Sequence, residues 1–163
     1  MLKSRDKQEL LEEVSKLAYG YEKEFGGCSQ AVLKAVQEVC EFQDNLLFKS
    51  AYGFAGGIGL AGSVCGALAG GVMVLGLKHG RSLSNHERWN VDTRLKQYEI
   101  FRDFYKWFRD EYGSVYCRDL IGYDLTQRQK RDEFHDSPVF EQCLKRVASV
   151  ARKAADMIIE ESK

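Results

Sequence analysis

Apolar residues recur at helical spacing along most of the chain. Leu10, Val14, Leu17, Tyr21 and Phe25 predict an amphipathic helix from about Lys7 to Phe25, ended by Gly26-Gly27. A second helix follows from near Cys28 to Phe42, with Val32, Ala35, Val36 and Val39 on its inner face. Asp44 is placed to cap a short third helix that stops at Gly53. No segment shows the alternation of a strand, so the pattern predicts an all-α fold of about five main helices.

Residues 51–77 carry no charge, and nine of the 27 are glycine. The length would allow a membrane span. The first half, with Gly53, Gly56, Gly57, Gly59 and Gly62, is too glycine-rich for one continuous helix. Basic residues on both flanks, Lys49 before and Lys78 and Arg81 after, give no orientation signal. The expectation is therefore a glycine-rich loop feeding a buried central helix from about Val64 to His79, stopped by Gly80. Gly62, Gly66 and Gly70 would line one face of it and admit close neighbours.

Ser84 and Glu87 form a capping box that opens a long helix to about Tyr112. That helix holds eight aromatics between Trp89 and Tyr112, a stripe expected to serve as core or as a face for homo-oligomer formation. Cys117 to Gly122 is a short helical turn. Thr126 to Phe134 is another, with Thr126 and Gln129 as its capping pair. Ser137-Pro138 opens the last helix, which runs to about Ile159 with Phe140, Leu144, Val147, Ala151 and Ile158 inward.

The 163 residues fit one helical domain, large enough to bury a core unaided. Lys+Arg and Asp+Glu both number 24, and this zero net charge argues against nucleic-acid binding. The charged start, Met1 to Lys7, has no apolar segment of a secretory signal, so a reducing cytoplasmic setting is expected. His79, His86 and His135 are isolated, and no C-x-x-C-H supports haem attachment.

The chemistry then falls to five cysteines: Cys28, Cys40, Cys65, Cys117 and Cys143. None is spaced as a zinc ribbon or thioredoxin-type pair. Cys28, Cys65 and Cys117 fall at or within a turn of predicted helix starts, and Cys143 slightly deeper. At such starts free N–H groups stabilise a thiolate. Cys40 lies near a helix end, where the field acts the other way. The alternative for any single one is a small buried hydrophobe. The four are expected to gather, with Cys65 the most reactive and Cys40 apart.

Gly26-Gly27-Cys28-Ser29-Gln30-Ala31-Val32, then Gly53-Phe54-x-Gly56-Gly57-Ile58, Cys65-Gly66-Ala67-Leu68-Ala69-Gly70-Gly71 and single Cys117 and Cys143 resemble the redox-active family labelled C–GCAxxG–C–C. The resemblance runs from about Cys28 to Cys143. The label writes Gly-Cys-Ala where this chain has Cys65-Gly66-Ala67, preceded by Val64. It implies a small, all-helical, mostly bacterial protein that is redox active. A related module in a multihaem cytochrome is associated with an iron–sulfur cluster. Three functions stay open. One is thiol–disulfide exchange with an unnamed redox partner, Cys65 attacking and Cys28, Cys117 or Cys143 resolving. Another is an iron–sulfur or other metal centre held by Cys28, Cys65, Cys117 and Cys143. The third is a non-redox helical oligomer.

Overall fold

The computed structural model describes residues 5–81 and 91–160. Within them the chain forms eight helices: α1 Lys7–Phe25, α2 Cys28–Val39, α3 Asn45–Ala51, α4 Gly66–His79, α5 Val91–Tyr112, α6 Cys117–Ile121, α7 Arg128–His135 and α8 Pro138–Glu160. The described residues contain no strand, only an isolated antiparallel bridge between Val64 and Tyr116. The fold is all-α. The capping box at Ser84 and Glu87, together with His86 and Trp89, lies outside the described residues.

Asp6 starts α1 by accepting from the N–H groups of Gln8 at 2.8 Å and Glu9 at 3.3 Å. Its buried face, Leu10, Leu11, Val14, Ala18 and Glu22, packs on α8 and α2. The second helix is the most enclosed of the set: Val32, Leu33, Ala35 and Val36 have no solvent exposure, and it touches α1, α3, α4 and α8. The glycine-rich α4 packs on α2, α8 and α5. The centre is thus shared between α2 and α4 rather than held by α4 alone.

Several boundaries differ from the sequence expectation, each for a local reason. The second helix stops at Val39, before Phe42, because Glu41 turns left-handed at φ 57°. Phe42 N–H then donates to the Gln37 carbonyl at 3.0 Å, closing a Schellman end. The fourth helix starts at Gly66 because Val64 is pinned by the bridge to Tyr116 and Cys65 N–H donates to the Val115 carbonyl at 2.8 Å. Thr126 does not cap α7. Its N–H and hydroxyl are taken by the Asp124 carboxylate, at 3.1 and 2.7 Å, and α7 begins at Arg128.

The uncharged stretch 51–77 is broken into the end of α3, a 3-10 turn at Tyr52–Phe54, a loop and most of α4. No described helix is long and apolar enough to cross a membrane. The aromatic stripe of α5 divides. Phe104 and Phe108 are fully buried, which contributes about 1.5–3 kcal/mol each. Tyr98 and Tyr105 stay exposed.

Candidate thiol site

Gly26 and Gly27, at φ 67° and 85°, reverse the chain between α1 and α2 and set Cys28 as the first residue of α2. Cys65 is the N-terminal cap residue of α4, and Cys117 is the first residue of α6. Cys143 lies in the second turn of α8. Backbone hydrogen bonds tie two of these starts together: Cys117 N–H donates to the Ser63 carbonyl at 2.7 Å, and Arg118 N–H to Gly62 at 3.1 Å.

The site sits on a seam. Cys28 and Cys65 belong to the main core, whereas Cys117 and Cys143 belong to a second apolar cluster built around Ile121, Leu125 and Phe134. Cys65 is within electrostatic reach of the other three thiols, and Cys143 within reach of Cys28 and Cys117. Charge on Cys65 opposes ionisation of Cys28, Cys117 and Cys143, and charge on Cys143 opposes that of Cys28. Cys40, the cap residue at the far end of α2, responds only to its own burial.

The helix starts do not lower these thiols below the ordinary range. Burial wins at every one. Cys28 is pushed well up by desolvation first, then by Glu22 and its neighbouring thiols, with only the Gly56 N–H pulling back. Cys117 and Cys143 are each pushed up to about 12, burial again leading. Cys143 keeps some solvent contact as a residue, but its sulfur is crowded from the inside. Cys65 is also raised by burial, but the N–H groups of Leu68 and Ala67 and the charge of Arg146 act against the rise. The sulfur makes no close capping hydrogen bond, so these amides act as the longer contacts of a weak, large acceptor.

Glycines clear the space around the sulfurs. A side chain on Gly66 would run into the Cys28 sulfur and the Phe54 carbonyl. Gly70 admits the backbone of α2 at Ser29, and Gly71 the ring of Phe104. The Ser29 hydroxyl donates to the Ala51 carbonyl at 2.7 Å and fixes the same end of α2 against α3.

Two charged residues at the site escaped the sequence reading. Glu22 and Arg146 are each only 8% exposed. Both were visible as charges on otherwise apolar helical stripes: Glu22 four residues after Ala18, Arg146 three after Cys143. The Arg146 guanidinium stands 5.3 Å from the centre of the Tyr112 ring, and its Nη2 donates to the Leu120 carbonyl at 3.5 Å. Burial raises the Tyr112 phenol too.

Thiols are the right donors for iron–sulfur or zinc. As placed, they do not form a ligand set: among the described residues no three His, Cys, Asp or Glu side chains are arranged to hold a metal ion. All five cysteines are free thiols.

No curated protein and no solved structure matches the chain. A family model does, over residues 26–157, which spans the three glycine-bearing segments and Cys28, Cys65, Cys117 and Cys143. The chain belongs to the family described as "Putative redox-active protein (C_GCAxxG_C_C)".

Proposed function

We propose that the protein carries out thiol–disulfide exchange, with Cys65 as the attacking sulfur and a neighbouring thiol resolving. The observation that carries this reading is the treatment of Cys65. It is the clustered thiol whose burial is opposed by two helix-terminal amides and a buried cation, and three further thiols lie within its electrostatic reach. An attacking thiolate needs that local support, since the thiolate and not the thiol is the nucleophile.

In the exchange the Cys65 sulfur attacks one sulfur of a partner disulfide. The partner's S–S bond breaks, its electron pair leaves with the second sulfur, and that thiolate takes a proton. A second protein thiol then attacks the mixed disulfide and releases the other half of the partner. Two protein thiols are oxidised and one disulfide is reduced to two thiols. Cys28 is the favoured resolver, because its sulfur packs against Gly66, the residue next to Cys65.

The test is oxidation of the purified chain with oxidised glutathione, followed by peptide mapping of the thiols. One disulfide between Cys65 and Cys28, Cys117 or Cys143 is expected, and Cys65→Ala should lose it. Four thiols still free after oxidation would overturn the reading. Protein purified without oxygen and showing stoichiometric iron and sulfide, with absorption between about 300 and 600 nm, would replace it with a cluster protein.

A further inference from the structure

Arg146 is a buried cation for which the chain supplies no anion. It is only 8% exposed, and its neighbours in sequence on α8, Leu144 and Val147, are core residues. Among the described residues its guanidinium makes one hydrogen bond, from Nη2 to the Leu120 carbonyl at a long 3.5 Å, and no ion pair. Its Nε is buried and donates to nothing. The acids beside its contacts are turned elsewhere. Asp119 accepts from the Ser114 hydroxyl at 2.7 Å, and Glu111, next to Tyr112, is exposed. A guanidinium taken out of water is costly unless an opposite charge meets it. One long bond to the last turn of α6 offsets little of that cost.

The geometry suits an anion with two oxygens. The Tyr112 ring, with its centre 5.3 Å from the guanidinium carbon, backs the group on one side. Nε and Nη2 form one edge of the planar fork, the edge that takes the two oxygens of a carboxylate in parallel. Nη2 carries two N–H groups, so it can grip an oxygen and still keep Leu120.

The same place adjoins the thiols. Cys143 is three residues before Arg146 on α8, and residues so spaced are neighbours on one helix face, about 5–6 Å apart between Cβ atoms. The Leu120 carbonyl belongs to α6, whose first residue is Cys117. Tyr112, Leu120, Cys143 and Ser149, one turn further along α8, all keep partial exposure, so the guanidinium lies just beneath the surface.

We propose that Arg146 is the docking point for the carboxylate of a small anionic disulfide, the substrate class of the thiol site, and that it brings the substrate's sulfur to the cluster at Cys143. The inference deepens the thiol–disulfide reading and rests on it. Disulfides whose carboxylate lies only a few bonds from sulfur span the gap between Arg146 and Cys143. Neutral disulfides lack the group that the fork grips, and cationic ones would leave the guanidinium unpaired beside a second positive charge.

The experiment reacts the reduced full chain with three small disulfides of different charge: dithiodiglycolate, hydroxyethyl disulfide and cystamine. Each rate, followed by mass spectrometry, is divided by the rate of the same disulfide with free dithiothreitol. In the wild type the anionic disulfide should exceed the neutral one by roughly tenfold or more, the worth of a charge-assisted hydrogen-bonded pair, and the cationic one should be slowest. Arg146→Gln should bring the anionic-to-neutral ratio down to about one. The ratio is taken within one protein, so a general loss of thiol reactivity does not alter it. A measurement on unmutated protein guards against misfolding of the variant. Thiodiglycolate, a dicarboxylate with no S–S bond to exchange, should slow the anionic reaction saturably at constant ionic strength.

A wild-type ratio near one, a wild-type ratio retained in Arg146→Gln, or no slowing by thiodiglycolate would each overturn the proposal while leaving the exchange reading standing. Wild-type protein that reacts with none of the three disulfides would overturn both.

Discussion

The sulfur of Cys28 stands so close to Gly66 that a Cβ there would overlap it. That relationship joins the first residue of α2 to the first residue of α4, and it brings Cys28 beside Cys65. Gly66→Ala would collide with both the sulfur and the Phe54 carbonyl, of which only the sulfur is side chain. The expected cost is about 1–3 kcal/mol, as for other overpacked cores, read from urea denaturation. Adding Cys28→Ala should return part of that loss and not all, since the Phe54 carbonyl remains. Full stability in Gly66→Ala alone would show that the two helices are free to separate.

Glu22 makes stability depend on pH with a definite sign. Folded, its carboxyl keeps its proton up to about 8; its ordinary value is 4.5. Between those values the unfolded chain has released a proton that the folded chain retains, so rising pH favours unfolding. Stability should be greatest below about 4.5 as far as this group is concerned, and should fall as pH rises to about 8. Glu22→Gln, always neutral, should flatten that decline in denaturation midpoints measured across the range. A slope unchanged by the substitution would mean that other groups cause it.

The helices were legible in the sequence because burial of an amphipathic face leaves a periodic trace, and α1 is found with the bounds its periodicity predicts. The boundaries that moved are those set by partners distant in the chain. Cys65 is a cap rather than an interior helical residue because Val115, fifty positions on, accepts its N–H. Cys28, Cys65 and Cys117 could be picked out by their places at helix starts, with Cys143 slightly deeper, but the sign of their ionisation could not. The positive end of a helix can be read from sequence, whereas desolvation depends on what closes over the sulfur. Glu22 and Arg146 were hidden for a related reason: a charge on an apolar stripe becomes informative only once its neighbours are known.

Cys40 should be chemically silent. It caps the C-terminal end of α2, and twelve residues at about 1.5 Å each separate it from Cys28 by about 18 Å. Burial raises its thiol to about 11, and no other thiol contributes to that rise. Cys40→Ala should lower the thiol count of the denatured protein by one and leave glutathione-driven oxidation of the other four unchanged. Loss of a mapped disulfide in this variant would place Cys40 in the site.

The loop before Cys65 is wound the wrong way for ordinary residues, and this sets opposite expectations for two of its members. Gly56, Gly57, Ile58, Gly59 and Leu60 run consecutively at φ 62°, 74°, 63°, 57° and 69°. Hydrogen bonds hold the turn closed, from Gly59 N–H to the Gly53 carbonyl at 2.9 Å and from Gly62 N–H to Gly56 at 3.0 Å. The left-handed region costs a residue with a side chain about 1–2 kcal/mol, and most for a β-branched one. Ile58 is half exposed, so its side chain recovers little of that cost. Ile58→Gly removes the strain and adds roughly 0.5–1 kcal/mol of chain entropy to the unfolded state. A net gain of about 0.5–1 kcal/mol is expected. Leu60 carries the same strain but packs against the cluster of Ile121, Leu125 and Phe134. Leu60 is partly buried, so Leu60→Gly gives up much of the roughly 1.5–3 kcal/mol of a fully buried side chain, on top of the added chain entropy, and should destabilise. Urea midpoints that move in the same direction for both variants would mean that backbone strain does not govern this loop.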